Sequence, residues 1–343
     1  MFRRYLLALG AVIMVSGIGC GSKDSGGEST AETPQGPSFA FITNGVADFW
    51  TIAQLGAEKA GKDLGVDVTV VMPSGITDQT RKIEDLLTRG IDGIAISPID
   101  PANQIDAINK AAAETILITH DSDAPGTDRL MYIGMDNYLA GLMCGELVRK
   151  ALPEGGEVMI MIGRVDQDNA KGRRQGCIDA ILGREPDSSR ADPIGEVLTS
   201  EDGKYKVLGT MTDQFDRAKG KANAEDTLNG HPNISAMVGL FTYNPPLIME
   251  ALDRAGKLGE VKVIAFDEDE VSLQGIKDGT VAGTVVQDPY QYGYESIRVL
   301  NELAKKNNSV IPENKFIDIP ARVIHKFNVD EFWADLKEKT GRD

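Results

Sequence analysis

From residue 38 onward the chain alternates short unbroken apolar runs with longer amphipathic stretches. The runs predict strands over 39–43, 66–72, 93–97, 116–120 and 131–134, then over 157–162, 205–211, 236–240, 261–266 and 280–286. Between them a 3.6-residue pattern predicts helices over 49–64, 78–89, 102–113, 137–151, 169–182, 216–229, 245–255, 271–278 and 290–305. Strands that stay apolar at successive positions are covered on both faces, which marks a parallel sheet between helix layers. Asp78 and Pro101 fall at helix starts, and Gly90, Gly183 and Gly256 at stops. The alternation occurs twice, with a seam near Gly134-Met-Asp-Asn-Tyr138. The expected fold class is therefore α/β, with two similar doubly wound parallel-sheet lobes and a ligand cleft between them.

The start of the chain is different. Arg3 and Arg4 precede an apolar run from Tyr5 to Ile18, and Gly19-Cys20-Gly21 follows. A basic start, a short apolar run and small residues describe a secretory signal over 1–19. The run is too short for a comfortable membrane span. Cys20 stands where a bacterial lipoprotein signal places its lipidated cysteine. Gly17 stands where Leu is usual, so an ordinary signal with an incidental cysteine is the alternative. Residues 20–37 are polar, Gly/Ser/Pro-rich and free of aromatics, and read as a flexible tether. The chain is thus expected to be exported to the periplasm and held at the membrane by a lipid on Cys20.

The body that remains is large enough for two cores. A net charge of −16 argues against a nucleic-acid partner, which needs a basic face. Cys144 and Cys177 lie in predicted helices and read as buried free thiols, with a disulfide as the alternative. Familiar catalytic and cofactor signals are missing. There is no phosphate-cradling loop, no dinucleotide fingerprint after the first strand and no nucleophile elbow. His120, His231 and His325 lack metal-ligand spacing. Asp166-Gln-Asp168 and Asp267-Glu-Asp-Glu270 do not continue as calcium loops. No metal, cofactor or catalytic residue is expected. An exported glycan-acting enzyme with two carboxylates across the cleft stays as an alternative, though no such pair stands out.

The residues just past the strands carry the candidate chemistry, because open α/β sheets bind ligands at their carboxyl edges. They are Thr43, Asn44, Phe49 and Trp50 after the first strand, Ser97 after the third, and Asp121 and Ser122 after the fourth. The second half offers Asn169, Arg173, Phe215, Phe241, Asn244, Asp267 and Gln287. Carboxylates and amides match sugar hydroxyls, a guanidinium adds forked donors, and aromatic rings cover the apolar C–H faces. Each has a plainer reading beside it. Phe49 and Trp50 could anchor the first helix, Asp121, Asn169 and Asp216 could cap, Arg173 could meet a surface acid, and Phe215 and Phe241 could be core.

The chain resembles the periplasmic sugar-binding proteins of ABC importers, of the ribose-binding type, over about 38–325. The resemblance rests on Asp48-Phe49-Trp50, Ile96-Ser97-Pro98, Thr119-His-Asp121, Gly134-Met-Asp136-Asn137, Asn169-Ala-Lys-Gly-Arg173, Phe215-Asp-Arg-Ala-Lys-Gly220, Phe266-Asp267 and Val286-Gln287. It implies that the aromatics sandwich a sugar ring. Ser97, Asp121, Arg173, Asp267 and Gln287 would bond its hydroxyls. It also implies a three-segment hinge, with crossings near Asp136, Gln287 and Ile319. The lobes would then be 38–135 plus 288–318, and 136–287 plus 319–343. The implied role is a monomeric binding protein that delivers a small sugar or polyol to an importer permease. A sensory receptor of the same fold, reading a sugar or furanone-like signal for a membrane kinase or chemoreceptor, is the alternative. Some positions depart from ribose binders. Ser122 replaces an Arg and Asp123 follows it, Ala47-Asp48 replaces an Asn, and Phe241 replaces an amide for which Asn244 could substitute. Losing a cation and gaining a carboxylate should shift the sugar preferred.

Overall fold

The computed structural model describes residues 36–341. The signal, Cys20 and nearly all of the tether lie outside them. The described residues belong to one compact unit. The first half runs β1 (Ser38–Ile42), α1 (Asp48–Leu64), β2 (Asp67–Val71), α2 (Ile76–Thr88), β3 (Gly93–Ile96), α3 (Ile105–Glu114), β4 (Ile116–His120) and β5 (Tyr132–Gly134). The second runs α4 (Asn137–Ala151), β6 (Gly156–Ile162), α5 (Asp168–Leu182), β7 (Leu198–Thr199), β8 (Tyr205–Thr212), α6 (Arg217–Gly230), β9 (Ile234–Gly239), α7 (Asn244–Arg254), β10 (Lys262–Phe266), α8 (Glu270–Asp278) and β11 (Val281–Val286). Then come α9 (Pro289–Ala304), β12 (Phe316–Asp318), β13 (Arg322–Ile324) and α10 (Val329–Thr340).

Among the described residues the strands form two sheets, ordered β12-β5-β4-β3-β1-β2 and β13-β11-β10-β9-β6-β8-β7. The first is parallel throughout, and the second is parallel except at its edges, where β13 and β7 run antiparallel to their neighbours. The fold is thus two doubly wound sheets, as the apolar runs predict. α9 returns to pack on the first sheet, with Ile297 and Leu300 in the cluster that holds Phe39 and Phe41. β7, β12, β13 and α10 are not among the elements predicted from sequence, although α10 carries an apolar helical period.

The period of two explains why the strands look uniformly apolar. In β1, Phe39 and Phe41 join the cluster under α1 and α9, while Ala40 and Ile42 join the one that holds Ile83 and Ile108 from α2 and α3. In β6, Ile160 and Ile162 face Cys144 of α4 and Cys177 of α5, while Met159 and Met161 face the opposite cluster with Ile248 of α7. Each such buried side chain contributes about 1.5–3 kcal/mol of transfer free energy. Cys144 and Cys177 are both buried free thiols.

α4 and α5 approach closely, and that contact sets the position of Arg173. A Cβ on Gly141 would run into the Arg173 carbonyl, and one on Gly176 into the Tyr138 carbonyl. Only glycine at these two points lets the helix backbones meet.

Candidate functional site

In each sheet the strand order reverses beside one strand, β1 in the first and β6 in the second. Such switch points leave a crevice at the carboxyl ends. The strand-end residues collect there.

On the first-sheet side, Asn44 bridges the crevice. It donates from Nδ2 to Ser97 Oγ at 3.1 Å and to Asp121 Oδ2 at 3.4 Å, and its Oδ1 accepts the Trp50 indole N–H at 3.1 Å. The Ser97 hydroxyl donates to Asp121 Oδ2 at 2.9 Å. These bonds take up one carboxylate oxygen of Asp121. The Asp121 pKa is raised to about 6, chiefly by burial; Arg173 and the Ser97 hydroxyl pull against this and Asp267 adds a smaller push upward.

On the second-sheet side, Asp267 accepts from Gln287 Nε2 at 2.8 Å and from Thr242 Oγ1 at 2.5 Å, and Gln287 Oε1 accepts from the Tyr292 hydroxyl at 3.2 Å. Arg173 is 1 % exposed. Its Nε donates to Asn137 Oδ1 at 2.9 Å and its Nη1 reaches the Leu240 carbonyl at 3.4 Å. The guanidinium lies 4.3 Å from the Phe266 ring centre and 5.5 Å from that of Phe241. No carboxylate among the described residues pairs with it within 4.0 Å. A buried charge without a partner is costly. The surface ion pair open to Arg173 from sequence does not form.

Asp121 and Asp267 are built alike. Each follows the last residue of its strand with a left-handed backbone, φ 56° and 67°. Each N–H donates to the next strand, to Ile133 O at 3.0 Å and Val285 O at 2.8 Å. Each carbonyl accepts a hydroxyl from that strand, Tyr132 Oη at 2.8 Å and Thr284 Oγ1 at 2.7 Å. Asp tolerates this conformation better than most residues, because its short polar side chain bonds locally.

The aromatics divide. Trp50 is 4 % exposed, edge-on to Phe49 at 4.8 Å and to His120 at 5.7 Å. It serves mainly as the helix anchor left open from sequence. Phe49 is half-buried beside it. Phe215 is 46 % exposed and meets Phe241 edge-on at 5.7 Å, while Tyr243 lies parallel to Phe241 at 6.4 Å. Asp213 holds this wall, accepting from Phe215 N at 2.8 Å, Tyr243 Oη at 2.5 Å and Asn244 Nδ2 at 2.9 Å.

The other strand-end residues are placed as follows. Thr43 is fully buried, and its hydroxyl donates to the Gly45 carbonyl at 2.7 Å, bracing the turn. Asn244 is held at both ends of its amide, donating from Nδ2 to Asp213 and accepting the Phe241 N–H on Oδ1 at 3.1 Å, which leaves one Nδ2 hydrogen. Ser122 is fully buried with an unpartnered hydroxyl. Asp123 brings no free negative charge, because Arg129 pairs with it through two bonds of 2.5 Å. The cation missing at Ser122 is supplied seven residues later, to a different carboxylate. Asp216 caps α6, accepting from Ala218 N at 2.8 Å. Asn169 is buried near the start of α5, and its Oδ1 accepts the Ala170 N–H at 2.7 Å.

Sequence reasoning missed Gln79. It is fully buried and donates to Thr43 O at 2.7 Å and Ser97 O at 2.9 Å, tying together the loops that follow β1 and β3. Its signal was present: Gln79, Ile83 and Leu86 share one face of α2, and an amide on an apolar face needs buried partners.

Residues 39–308 match the model of the periplasmic binding protein domain. The chain belongs to the periplasmic binding protein family. Its members are binding proteins and not enzymes. A ribose import binding protein of Salmonella typhimurium is 27% identical over 262 residues, covering 75% of this chain and 81% of that protein. A D-ribose/D-allose-binding protein of Pseudomonas aeruginosa is 26% identical over 270 residues, covering 75% and 79%. An ABC transporter solute-binding protein of Burkholderia graminis, solved with D-arabinose, superposes with a TM-score of 0.76 at 29% identity, covering 87% of this chain and 98% of that one. The resemblance expected from sequence is therefore borne out.

Proposed function

We propose that this periplasmic binding protein captures a small neutral sugar or polyol between its two sheets and delivers it to an ABC importer. The observation that carries this reading is the fully buried Arg173, unpaired by any carboxylate among the described residues and acting electrostatically on Asp121 alongside Asp267. Two carboxylates and a guanidinium drawn from different lobes fit a ligand that both donates and accepts hydrogen bonds. Asp121, Arg173, Asp267 and Gln287 bond its hydroxyls. Phe49, Phe215 and Phe241 cover its faces, Trp50 backs Phe49, and Asn44 and Ser97 aim Asp121. Asn169 flanks the guanidinium side.

The lobes divide at the crossings near Asp136, Gln287 and Ile319, and hinge closure there traps the ligand. Gln167 Nε2 donates to Ile99 O at 3.1 Å, a contact from the start of α5 to the loop after β3 that fits the closed arrangement. The protein works as a periplasmic monomer tethered through lipidated Cys20.

A thermal-shift screen of pentoses, hexoses and polyols tests the reading. Ligand at about 100 times its dissociation constant should add roughly 2.7 kcal/mol to stability. Arg173→Met should abolish that gain while the ligand-free protein still melts cooperatively. A screen in which nothing stabilises the wild type refutes the sugar reading.

A further inference from the structure

A cavity of about 340 Å³ opens beside the Asp121 site. Asp121 and Asn169 line both, and so does Asn137, whose Oδ1 takes the Arg173 Nε–H. From there it extends to Asn314, ahead of β12, and to Phe316 at its start. At roughly 30 Å³ per water-sized group, it holds on the order of ten such groups. That is close to the non-hydrogen content of one sugar unit in a glycoside.

The lining has the chemistry of a second sugar subsite. Asn169 and Asn314 have their Oδ1 atoms taken by the N–H groups of Ala170 and Phe316, so their amide hydrogens remain for hydroxyls. Phe316 stacks on Tyr132 with ring centres 5.3 Å apart and planes 13° apart, a firm aromatic floor. Asp123 and Arg129 neutralise each other as a fixed wall. Asp168 pairs with Lys171 at 3.1 Å, so the remaining charges are Asp121 and Asp136 against Lys315, a balance that offers phosphorylated or carboxylated ligands no net cationic site. The walls come from the first sheet, from the starts of α4 and α5, and from the segments beside two of the crossings, Met135 with Asp136 and Lys315 with Phe316.

We propose that the protein takes a glycoside: one ring between Asp121 and Arg173, and a second neutral, polyhydroxylated ring in the cavity bounded by Asn169, Asn314 and Phe316. This rests on the sugar reading above and adds a second unit to it.

Titration calorimetry on the intact protein tests the proposal. The panel pairs D-xylose, arabinose, D-glucose, D-galactose and D-fructose with xylobiose, arabinobiose, cellobiose, maltose, lactose and sucrose. At least one disaccharide should bind about tenfold or more tightly than its own monosaccharides. Asn314→Trp, at an exposed loop position, should remove that advantage and leave monosaccharide affinity unchanged. A monosaccharide that binds while every disaccharide is weaker overturns the second subsite alone. Equal weakening of both classes by Asn314→Trp overturns it too. If no sugar of either class binds, the underlying sugar reading falls and the glycoside with it.

Discussion

Replacing Asp121 with Asn should stabilise the ligand-free protein at neutral pH, with an effect that grows as pH rises. Burial lifts this carboxyl from the usual value near 3.8 to about 6. The folded state therefore keeps a proton that the unfolded state releases between those values. Below 3.8 both states are protonated and the group contributes nothing. Stability is lost progressively as pH rises, and above 6 the full cost of the buried charge applies. At about 1.4 kcal/mol per pH unit, that cost is ~3 kcal/mol at pH 7.5 and ~1 kcal/mol at pH 4.5. Asn keeps an acceptor for the Ser97 hydroxyl, which donates at 2.9 Å, and it tolerates the left-handed backbone at φ 56°.

Urea unfolding of both proteins at pH 4.5 and 7.5 isolates the effect, because titrating groups that do not interact with Asp121 cancel in the difference and Asp121 dominates what is left. The advantage of Asp121→Asn over wild type should be larger at pH 7.5 by about 2 kcal/mol. A difference between the proteins that does not change with pH would refute the argument. In the proposed function the charged form is the one that accepts sugar hydroxyls. The same substitution should therefore weaken sugar binding by about 10- to 100-fold, the worth of a hydrogen bond to a charged group.

Gln79→Ala should cost about 3 kcal/mol in urea unfolding, since it leaves the Thr43 and Ser97 carbonyls without their buried donor; a loss below about 1 kcal/mol would show that the strut is dispensable. Cys144 and Cys177 should resist a disulfide-exchange reagent at pH 8 in the native protein and react in guanidinium chloride, because burial pushes the Cys177 thiol up to about 12 and raises Cys144 as well. Native-state labelling of either, mapped by mass spectrometry, would contradict that burial.

The parts of the fold that sequence reveals are those where burial alone decides residue type. β1 shows Phe39 to Ile42 as one apolar run because both faces are covered. β12 and β13 are three-residue strands with partly exposed positions, too short to carry a period. α10 did carry one, since Val329, Phe332, Trp333 and Leu336 fall at helical spacing on the core behind β10. In the site, Asp121, Asp267 and Arg173 stand out as charges directly after apolar runs or one turn into a helix. The braces behind them do not stand out. Tyr132 and Thr284 act through their strands' places beside β4 and β10, and sheet order is written nowhere in the local sequence. Arg129 could not be assigned to Asp123 for the same reason, because the loop that returns it is irregular.

The repeated aspartate construction bears on why the proposed closure needs a ligand. In both lobes the carboxylate follows its strand in a left-handed turn whose N–H and carbonyl are pinned by the neighbouring strand. Such a residue gives up about 1–2 kcal/mol of backbone preference to point its side chain rigidly off the sheet edge. Rigid presentation from both sides means that neither carboxylate can swing away as the lobes meet. Burial chiefly makes Asp121 hard to ionise and Asp267 adds a smaller push the same way, while Arg173, which pulls harder than Asp267 pushes, offsets the cost of burial only in part. Hydroxyl donors placed between them supply the missing stabilisation without adding charge. A polyol with neighbouring hydroxyls does this for both carboxylates at once, whereas an anion adds a third negative charge and brings no donors beyond those that Asn44, Ser97, Thr242 and Gln287 already supply. On this argument the selectivity for a neutral sugar and the coupling of binding to closure have one physical origin, two rigidly held, buried carboxylates, Asp121 and Asp267, with the cost of burying Asp121 offset only in part by Arg173.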